Sequence, residues 1–187
     1  MGFAPRSSPF ADREGTTMTA PHDGRFAQAR GGTSPNTVQL DVLLASRGSP
    51  TAAAMTSAFT APTAGFTPVQ VRAGGEQPER TVHPPTIMLN KVPSPTEAHA
   101  NLVAGPCQLG IAQGVLDAVA DGTLTGDRET LVFAAVWLSP AANSGGHVRL
   151  AAREAVRSGA GEAVHSHDEI ADLIAERDAL TRPCCGR

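Results

Sequence analysis

The sequence predicts an α+β fold with a single mixed β-sheet and packed helices. Two patterns support this prediction: segments that alternate apolar with polar residues, as strands do, are interleaved with segments whose apolar residues recur at helical spacing. The chain of 187 residues suits one domain, for which ~100 to 150 residues are typical, together with extensions.

Residues 1–23 are rich in Pro, Ser, Thr, Gly and charge, without apolar periodicity. Such a segment buries too little surface to offset its ordering entropy, so we predict a disordered N-terminal extension. Met18 lies inside it, and a translation start there would remove most of it. We predict a folded domain over residues 24–160 and a C-terminal amphipathic helix and tail over residues 161–187.

The first predicted strand covers residues 37–45, where polar and apolar residues alternate. Gln39 and Asp41 therefore point to the same face. Ser49 as N-cap and Pro50 as the first helical residue then predict an alanine-rich helix that continues to residue 60.

Three further strands are predicted over residues 67–72, 86–92 and 131–138. A polar loop, residues 73–81, separates the first two, and Lys91 lies near the end of the second. The last is apolar throughout, which is typical of a strand covered on both faces.

A capping box in Ser94-Pro95-Thr96-Glu97 predicts a helix that begins there and ends near residue 103. Gly105-Pro106 predicts the start of a second helix, which ends near Asp121-Gly122. The side chains that this second helix turns largely towards the core are Leu109, Val115, Leu116 and Val119.

The C-terminal part predicts a helix over residues 147–157 and a Gly-Ala hinge over residues 158–161. An amphipathic helix over residues 166–180 follows, in which Ser166 and Glu169 form a capping box.

Composition excludes several classes of function. A formal net charge of -3 gives no basic field for nucleic acid or anionic lipid. No apolar run approaches the ~20 residues that span a bilayer, so we expect a cytoplasmic protein without membrane contact. Cys107, Cys184 and Cys185 cannot form a paired framework or a Cys-only zinc site, and His165 and His167 lie on different sides of a helix. We therefore expect no metal.

Three polar features have two interpretations each. Gln39 with Asp41 is either the polar outer face of a half-exposed strand or a surface that binds a polar ligand. Lys91, the only lysine beside 14 arginines, is either an ordinary surface residue or a position that requires a compact ammonium. Gln108 lies either at a helix N-terminus that offers backbone donors to a ligand or in a solvent-facing first turn.

Six short blocks follow one another along the chain: Gln39-Leu40-Asp41-Val42-Leu43-Leu44, Arg47-Gly48-Ser49-Pro50, Pro62-Thr63-Ala64-Gly65-Phe66-Thr67, Asn90-Lys91-Val92, Gly105-Pro106-Cys107-Gln108 and Asp117-Ala118-Val119-Ala120-Asp121-Gly122. In order and spacing these blocks resemble those of the formaldehyde-activating enzyme family. The resemblance covers residues 24–157.

Members of that family join formaldehyde to tetrahydromethanopterin, which gives the methylene derivative and water. The resemblance implies a ribosomal-protein-like fold with a left-handed βαβ crossover, an exception to the usual right-handed rule. It also implies a homopentamer with the pterin site between neighbouring subunits. No cofactor would be bound permanently, since the reduced pterin is a co-substrate with formaldehyde.

The family carries a histidine two residues before an aspartate, and this histidine protonates the hydroxyl that leaves the carbinolamine intermediate. In this chain Gln39 stands at the histidine's position, and a carboxamide donates a hydrogen bond but transfers no proton. The family's pterin contacts correspond to Asp41, Lys91 and Gln108, which are retained, and to Gln70 and Pro93, which replace the usual leucine and threonine.

Two hypotheses follow from the resemblance. The first is a divergent lyase that condenses formaldehyde with a reduced pterin or folate, in which Gln39 and Lys91 act in catalysis. The replacement acid would then be Lys91, Asp41 or, more remotely, His83. The second is a catalytically silent paralogue that binds a pterin or a formaldehyde adduct as a carrier, sensor or assembly partner.

Overall fold

The computed structural model describes residues 22–61, 64, 66, 68–74, 80–165, 174–175 and 177–179. The strands are β1 (Phe26–Gly31), β2 (Val38–Ser46), β3 (Val69–Gln70), β4 (Arg72–Ala73), β5 (Arg80–Thr81), β6 (Thr86–Asn90) and β7 (Thr130–Leu138). The helices are α1 (Pro50–Thr60), α2 (Glu97–Leu102), α3 (Gln108–Ala120) and α4 (Gly145–His165), with a π turn (Val103–Cys107) between α2 and α3. The predicted extension before residue 22 and most of the predicted helix over residues 166–180 lie outside the described residues.

Five strands form one mixed sheet in the order β1-β2-β7-β6-β3, and β4 pairs with β5 in a separate ribbon. β6 and β7 run parallel, whereas the other neighbours in the main sheet are antiparallel. The predicted α+β class with one mixed sheet and packed helices is confirmed. The connection from β6 through α2 and α3 to β7 is a βαβ crossover, and its left hand stays a prediction.

Alternation along β2 divides the sheet into two faces, as the sequence predicted. Val38, Leu40, Val42 and Leu44 are fully buried and belong to the main core with residues of α3 and α4. The intervening side chains point to the other side of the sheet, which we call the open face. α1 rests on one end of the open face, where Ala52 packs with Ala45 and Phe133.

The start of α1 is formed as predicted. Ser49 is the N-cap, its hydroxyl accepts a hydrogen bond from the Ala52 N–H at 3.0 Å, and Pro50 is the first helical residue. The start of α2 differs from the prediction, because its N-cap is Thr96 and not Ser94. The Thr96 hydroxyl accepts from the His99 N–H at 3.1 Å, so the helix begins two residues later.

The predicted break at Gly105-Pro106 is wrong. Glu97–Ala120 is continuous, and the π turn holds Pro106 inside it. Leu109 and Leu116, predicted to be core residues, are exposed, because α3 turns its small residues towards α4.

The residues of α3 that do meet the core are smaller. They are Gly110, Ile111, Ala112, Gly114, Val115 and Ala118. A Cβ atom at Gly110 would collide with the Arg149 carbonyl of α4, so glycine permits the close approach of the two helices. Glu97–Ala120 is long and apolar enough to cross a membrane by length and composition alone, but its packing on α4 makes it a core helix.

The predicted hinge over residues 158–161 is also wrong, because α4 continues through it to His165. Gly159 and Ala160 are buried, and a Cβ atom at Gly159 would stand 2.7 Å from Val42 Cγ2 of the sheet. The small residues in this segment therefore allow close packing and do not introduce a bend.

Two strand predictions need correction. The predicted strand over residues 67–72 divides at the buried Val71 into β3 and β4, which belong to different sheets, and the predicted loop over residues 73–81 contains β5. β1 was not predicted. Its buried residues are only Ala27, Ala29 and Gly31, which give a weak apolar signal.

Candidate functional site

The polar part of the open face lies at the end of the sheet that α1 leaves uncovered. On β2, Gln39 and Asp41 point there, as the strand pattern predicted. Strand pairing places Gln28 of β1 opposite Asp41. On the other side of β2, Trp137 of β7 lies opposite Gln39, and Ala135 lies opposite Asp41.

Asp41 and Lys91 form an ion pair on this surface. Lys91 Nζ lies 2.6 Å from Asp41 Oδ2, and 29% and 19% of the two side chains are exposed, respectively. The other carboxylate oxygen, Oδ1, accepts a hydrogen bond of 2.7 Å from Gln28 Nε2. Both oxygens of Asp41 are thus held by donors on either side, while each keeps a further lone pair for a ligand.

The ion pair crosses the central strand. β7 lies between β2 and β6, so two interstrand spacings of about 4.8 Å each separate the strands that carry Asp41 and Lys91. Ala135 lies between Asp41 and Leu89 in the strand register. Its small side chain leaves room for the stem of Lys91 to pass over β7.

The main chain holds Lys91 in place just beyond the end of β6. Its N–H donates to the Val136 carbonyl at 2.7 Å, which continues the pairing of Asn90 with Val136 by one step. Leu89 pairs with Ala135 on the open face, so two residues further along Lys91 lies beside Trp137. Three strands therefore contribute adjacent side chains, namely Gln39, Trp137 and Lys91.

The sequence profile described as formaldehyde-activating enzyme (Fae) matches residues 28–185 of the chain. The match includes every residue named above in the site and nearly all of the described fold. The chain belongs to the formaldehyde-activating enzyme family.

Three relatives agree with this assignment. The chain is 25% identical over 154 residues to the 5,6,7,8-tetrahydromethanopterin hydro-lyase of Methanosarcina barkeri, covering 81% of this chain and 85% of that protein. It is 26% identical over 165 residues to the bifunctional enzyme Fae/Hps of Archaeoglobus fulgidus, and 23% identical over 157 residues to that of Methanothrix thermoacetophila. These alignments cover 87% and 83% of this chain but only 41% and 39% of the bifunctional enzymes.

Of the positions that correspond to family contacts, Gln39, Asp41 and Lys91 lie close together within a single subunit. Gln70 is exposed on β3 at the edge of the sheet, opposite Ile87. Pro93 is exposed in the connection between β6 and α2.

Gln108 lies apart from these family positions in a single chain. It belongs to α3, in the helical layer that covers the other face of the sheet. Its half-buried position follows the π turn directly, and its N–H already donates to carbonyls of that turn. Neither sequence-based interpretation of Gln108, a free helix N-terminus or a solvent-facing first turn, is therefore correct.

The described histidines lie elsewhere. His83 precedes β6 whereas Lys91 follows it, so the five residues of β6, about 16 Å at 3.3 Å per residue, separate the two. Within one chain, His83 is therefore too remote from Lys91 to serve as the replacement acid. His99 is buried, with Nε2 3.3 Å from the Leu138 carbonyl, and His147 contacts Ser144 near the start of α4. Burial, and then the nearby Arg25 and His165, lower the pKa of His22.

Sequence reasoning missed three residues of this surface: Gln28, Ala135 and Trp137. Gln28 was missed because β1 was not recognised as a strand. Ala135 and Trp137 were missed because they lie in a strand that is apolar throughout, where no polar side chain marks a site. The presence of a single tryptophan in the chain was the signal that could have drawn attention to position 137.

Other titratable groups serve the fold. Burial raises the pKa of the Cys107 thiol to about 12, so this cysteine is no nucleophile. The hydrogen bonds from Arg153 lower the pKa of Asp117, with which it pairs at 2.5 and 2.7 Å between α3 and α4. In the part of the chain that the structure describes, no three His, Cys, Asp or Glu side chains are grouped as a metal site requires.

Proposed function

We propose that the protein is a divergent formaldehyde-activating lyase, which condenses formaldehyde with a reduced pterin, either tetrahydromethanopterin or a folate, to the methylene derivative and water. The observation that carries the proposal is the ion pair of Asp41 and Lys91 across the open face, beside Gln39. The family membership and the name of the Methanosarcina relative, a tetrahydromethanopterin hydro-lyase, support the same reaction.

Asp41 and Gln39 each suit one part of this reaction. A pterin nitrogen adds to formaldehyde to give a carbinolamine, whose C–O bond breaks as the hydroxyl leaves with a proton as water. The second nitrogen then closes the ring and releases a proton. Asp41 has acceptor capacity for the N–H groups of the pterin, and the amide of Gln39 donates a hydrogen bond to the leaving hydroxyl.

Lys91 is the proton carrier in this proposal. Its ammonium gives a proton to the departing hydroxyl and is restored by the proton that the second nitrogen loses. Without the family's histidine, general acid catalysis of roughly 100- to 10,000-fold is reduced. Positioning of two reactants that condense spontaneously still accelerates the reaction.

A second candidate function is a catalytically silent paralogue that binds a pterin or a formaldehyde adduct. The observation in its favour is Gln39 itself, which stands where the family has a histidine. In addition, His99 and His147 bond to groups outside the site. A silent paralogue would keep the polar binding surface but not the turnover.

Methylene-pterin formation from formaldehyde, measured against the uncatalysed background, separates the two functions. We expect the wild type to exceed background, Lys91→Ala to fall well below the wild type because it lacks the proton carrier, and Gln39→His to increase the rate. Arg128→Ala, which removes an exposed cation outside the site, is the matched control and keeps the wild-type rate. If the wild type equals background while Gln39→His exceeds it, the paralogue hypothesis is correct for that pterin.

We further propose that the protein assembles as a homopentamer in the cytoplasm. A neighbouring subunit is a source of Gln108, which a single chain keeps on the helical layer away from Asp41. The exposed Leu109, Leu116 and Leu150 of α3 and α4 offer apolar surface for such contacts. Sedimentation velocity tests this: a species of five times 19.2 kDa is expected, and a monomer contradicts it.

A further inference from the structure

We propose that Trp137 is the aromatic platform of the site, on which the planar pyrimidine half of a reduced pterin stacks. This inference rests on the proposed function, because it names how the same site holds its substrate. It adds a ligand-contacting residue from β7, whereas the family contacts considered above all come from other elements.

The strand register puts Trp137 at the centre of the polar surface. It lies opposite Gln39 on one side, and Lys91 lies beside it on the other, one step past the pairing of Asn90 with Val136. Arg30 of β1 extends this row, because it pairs with Gln39. In the strand register Trp137 therefore lies between Gln39 and Lys91, and the ammonium of Lys91 extends to Asp41, one pair further along the same face.

The residues of β7 that point to this surface differ in size and in exposure. Phe133 is 5% exposed, because α1 covers it. Ala135 comes next on the same face, and the half-buried Trp137 follows. The small Ala135 therefore lies between the covered Phe133 and the half-buried Trp137, and Asp41 and Lys91 pair on either side of it.

These groups match the chemistry of one ligand class. Small-molecule sites combine an apolar surface with a few polar groups that fix the orientation of the ligand. An indole offers a flat face to a conjugated heterocycle, while Asp41 accepts from ring N–H groups and Gln39 and Lys91 donate to ring or substituent oxygens. Stacking of a heterocyclic base on an aromatic side chain contributes roughly 5- to 150-fold in affinity.

The composition provides a direct probe of this contact. The chain contains one tryptophan and no tyrosine, so indole fluorescence reports Trp137 alone. We expect saturable quenching when tetrahydrofolate or tetrahydromethanopterin is added to the full-length wild-type protein. Free N-acetyltryptophanamide corrects for absorption by the pterin.

Variants are compared by calorimetric titration with the same two pterins. We expect Trp137→Phe to bind within about threefold of the wild type, and Trp137→Ala and Trp137→Leu to bind about tenfold or more weakly. Phe26→Ala is the matched control, because Phe26 is an exposed aromatic residue on the same face of the sheet in β1, opposite Leu43; it should bind as the wild type does. The urea midpoint of each variant verifies folding, and the Phe and Leu variants, which keep apolar bulk, isolate the effect of the ring if Trp137→Ala unfolds.

The outcomes separate this inference from the proposed reaction. Saturable quenching together with weakened Leu and Ala variants supports the platform even if no turnover is detected, in which case the lyase proposal alone fails. Turnover by the wild type with an unchanged dissociation constant for Trp137→Leu overturns the platform and leaves the lyase. Absence of binding of both pterins to the wild type overturns the platform.

Discussion

Replacement of Gly114 by alanine places a Cβ atom between the parallel helices α3 and α4. That atom would collide with Val156 Cγ1 and stand 2.5 Å from the Arg153 carbonyl oxygen. Ordinary contacts begin near 3.4 Å, and a backbone carbonyl cannot rotate away, so the helices would have to separate by about 1 Å. Overpacking of this kind typically costs ~1 to 3 kcal/mol and occasionally more, against a gain in helix propensity of up to ~1 kcal/mol.

We therefore expect Gly114→Ala to lower the free energy of unfolding by about 1 to 3 kcal/mol, measured by urea denaturation with a constant m-value. Gly161→Ala is the matched control, because Gly161 lies in α4 with open space around the added atom. It should raise the same free energy by ~0.5 to 1 kcal/mol. The reasoning about the helix contact is refuted if Gly114→Ala is as stable as the wild type.

Three further predictions concern the site and the pH dependence of stability. Ala135→Leu should obstruct the path of Lys91 over β7 and weaken pterin binding about tenfold or more in calorimetry; unchanged binding would show that the lysine does not need that space. Gln28→Ala should weaken pterin binding several-fold, because Asp41 loses the donor that holds Oδ1. Gln28→Asn should restore less than half of that loss, since the shorter asparagine side chain does not reach Asp41. Hydrogen bonds from Arg153 lower the pKa of Asp117 in the folded state, so the ionised carboxylate stabilises the fold at a pH above its ordinary pKa of 3.8. This stabilisation is lost as the pH falls through the folded-state pKa. Asp117→Asn should therefore reduce the fall in urea midpoint between about pH 5 and pH 2, and an identical fall in the variant would contradict this assignment.

The fold could be predicted where local signals agree with tertiary packing. β2 alternates over its length, and α1 carries both its N-cap and its first proline, so each was found close to its true bounds. β1 was missed because its buried positions hold alanine and glycine, whose burial is set by close contact with α4 and not by their hydrophobicity. The hinge was wrongly predicted in α4 for the same reason, since small residues there fit against the sheet.

The candidate site was predicted in part. The strand pattern put Gln39 and Asp41 on one face, and the composition singled out Lys91, but neither showed that the two charged groups meet. Their contact depends on β7, which comes later in the chain and carries no polar residue at that point. The π turn could not be predicted either, because its Gly-Pro sequence is typical of a helix boundary, and it places Gln108 inside a continuous helix.

The position of β7 has a consequence for how the site comes into being. β7 lies between β2 and β6 in space but follows both along the chain, so a strand synthesised after the other two supplies the support over which Asp41 and Lys91 join. A nascent chain that ends before residue 130 holds the two charged residues on strands without their common neighbour. The ligand surface therefore belongs to the completed sheet alone, and a bound ligand would raise the stability of the whole domain instead of one local segment.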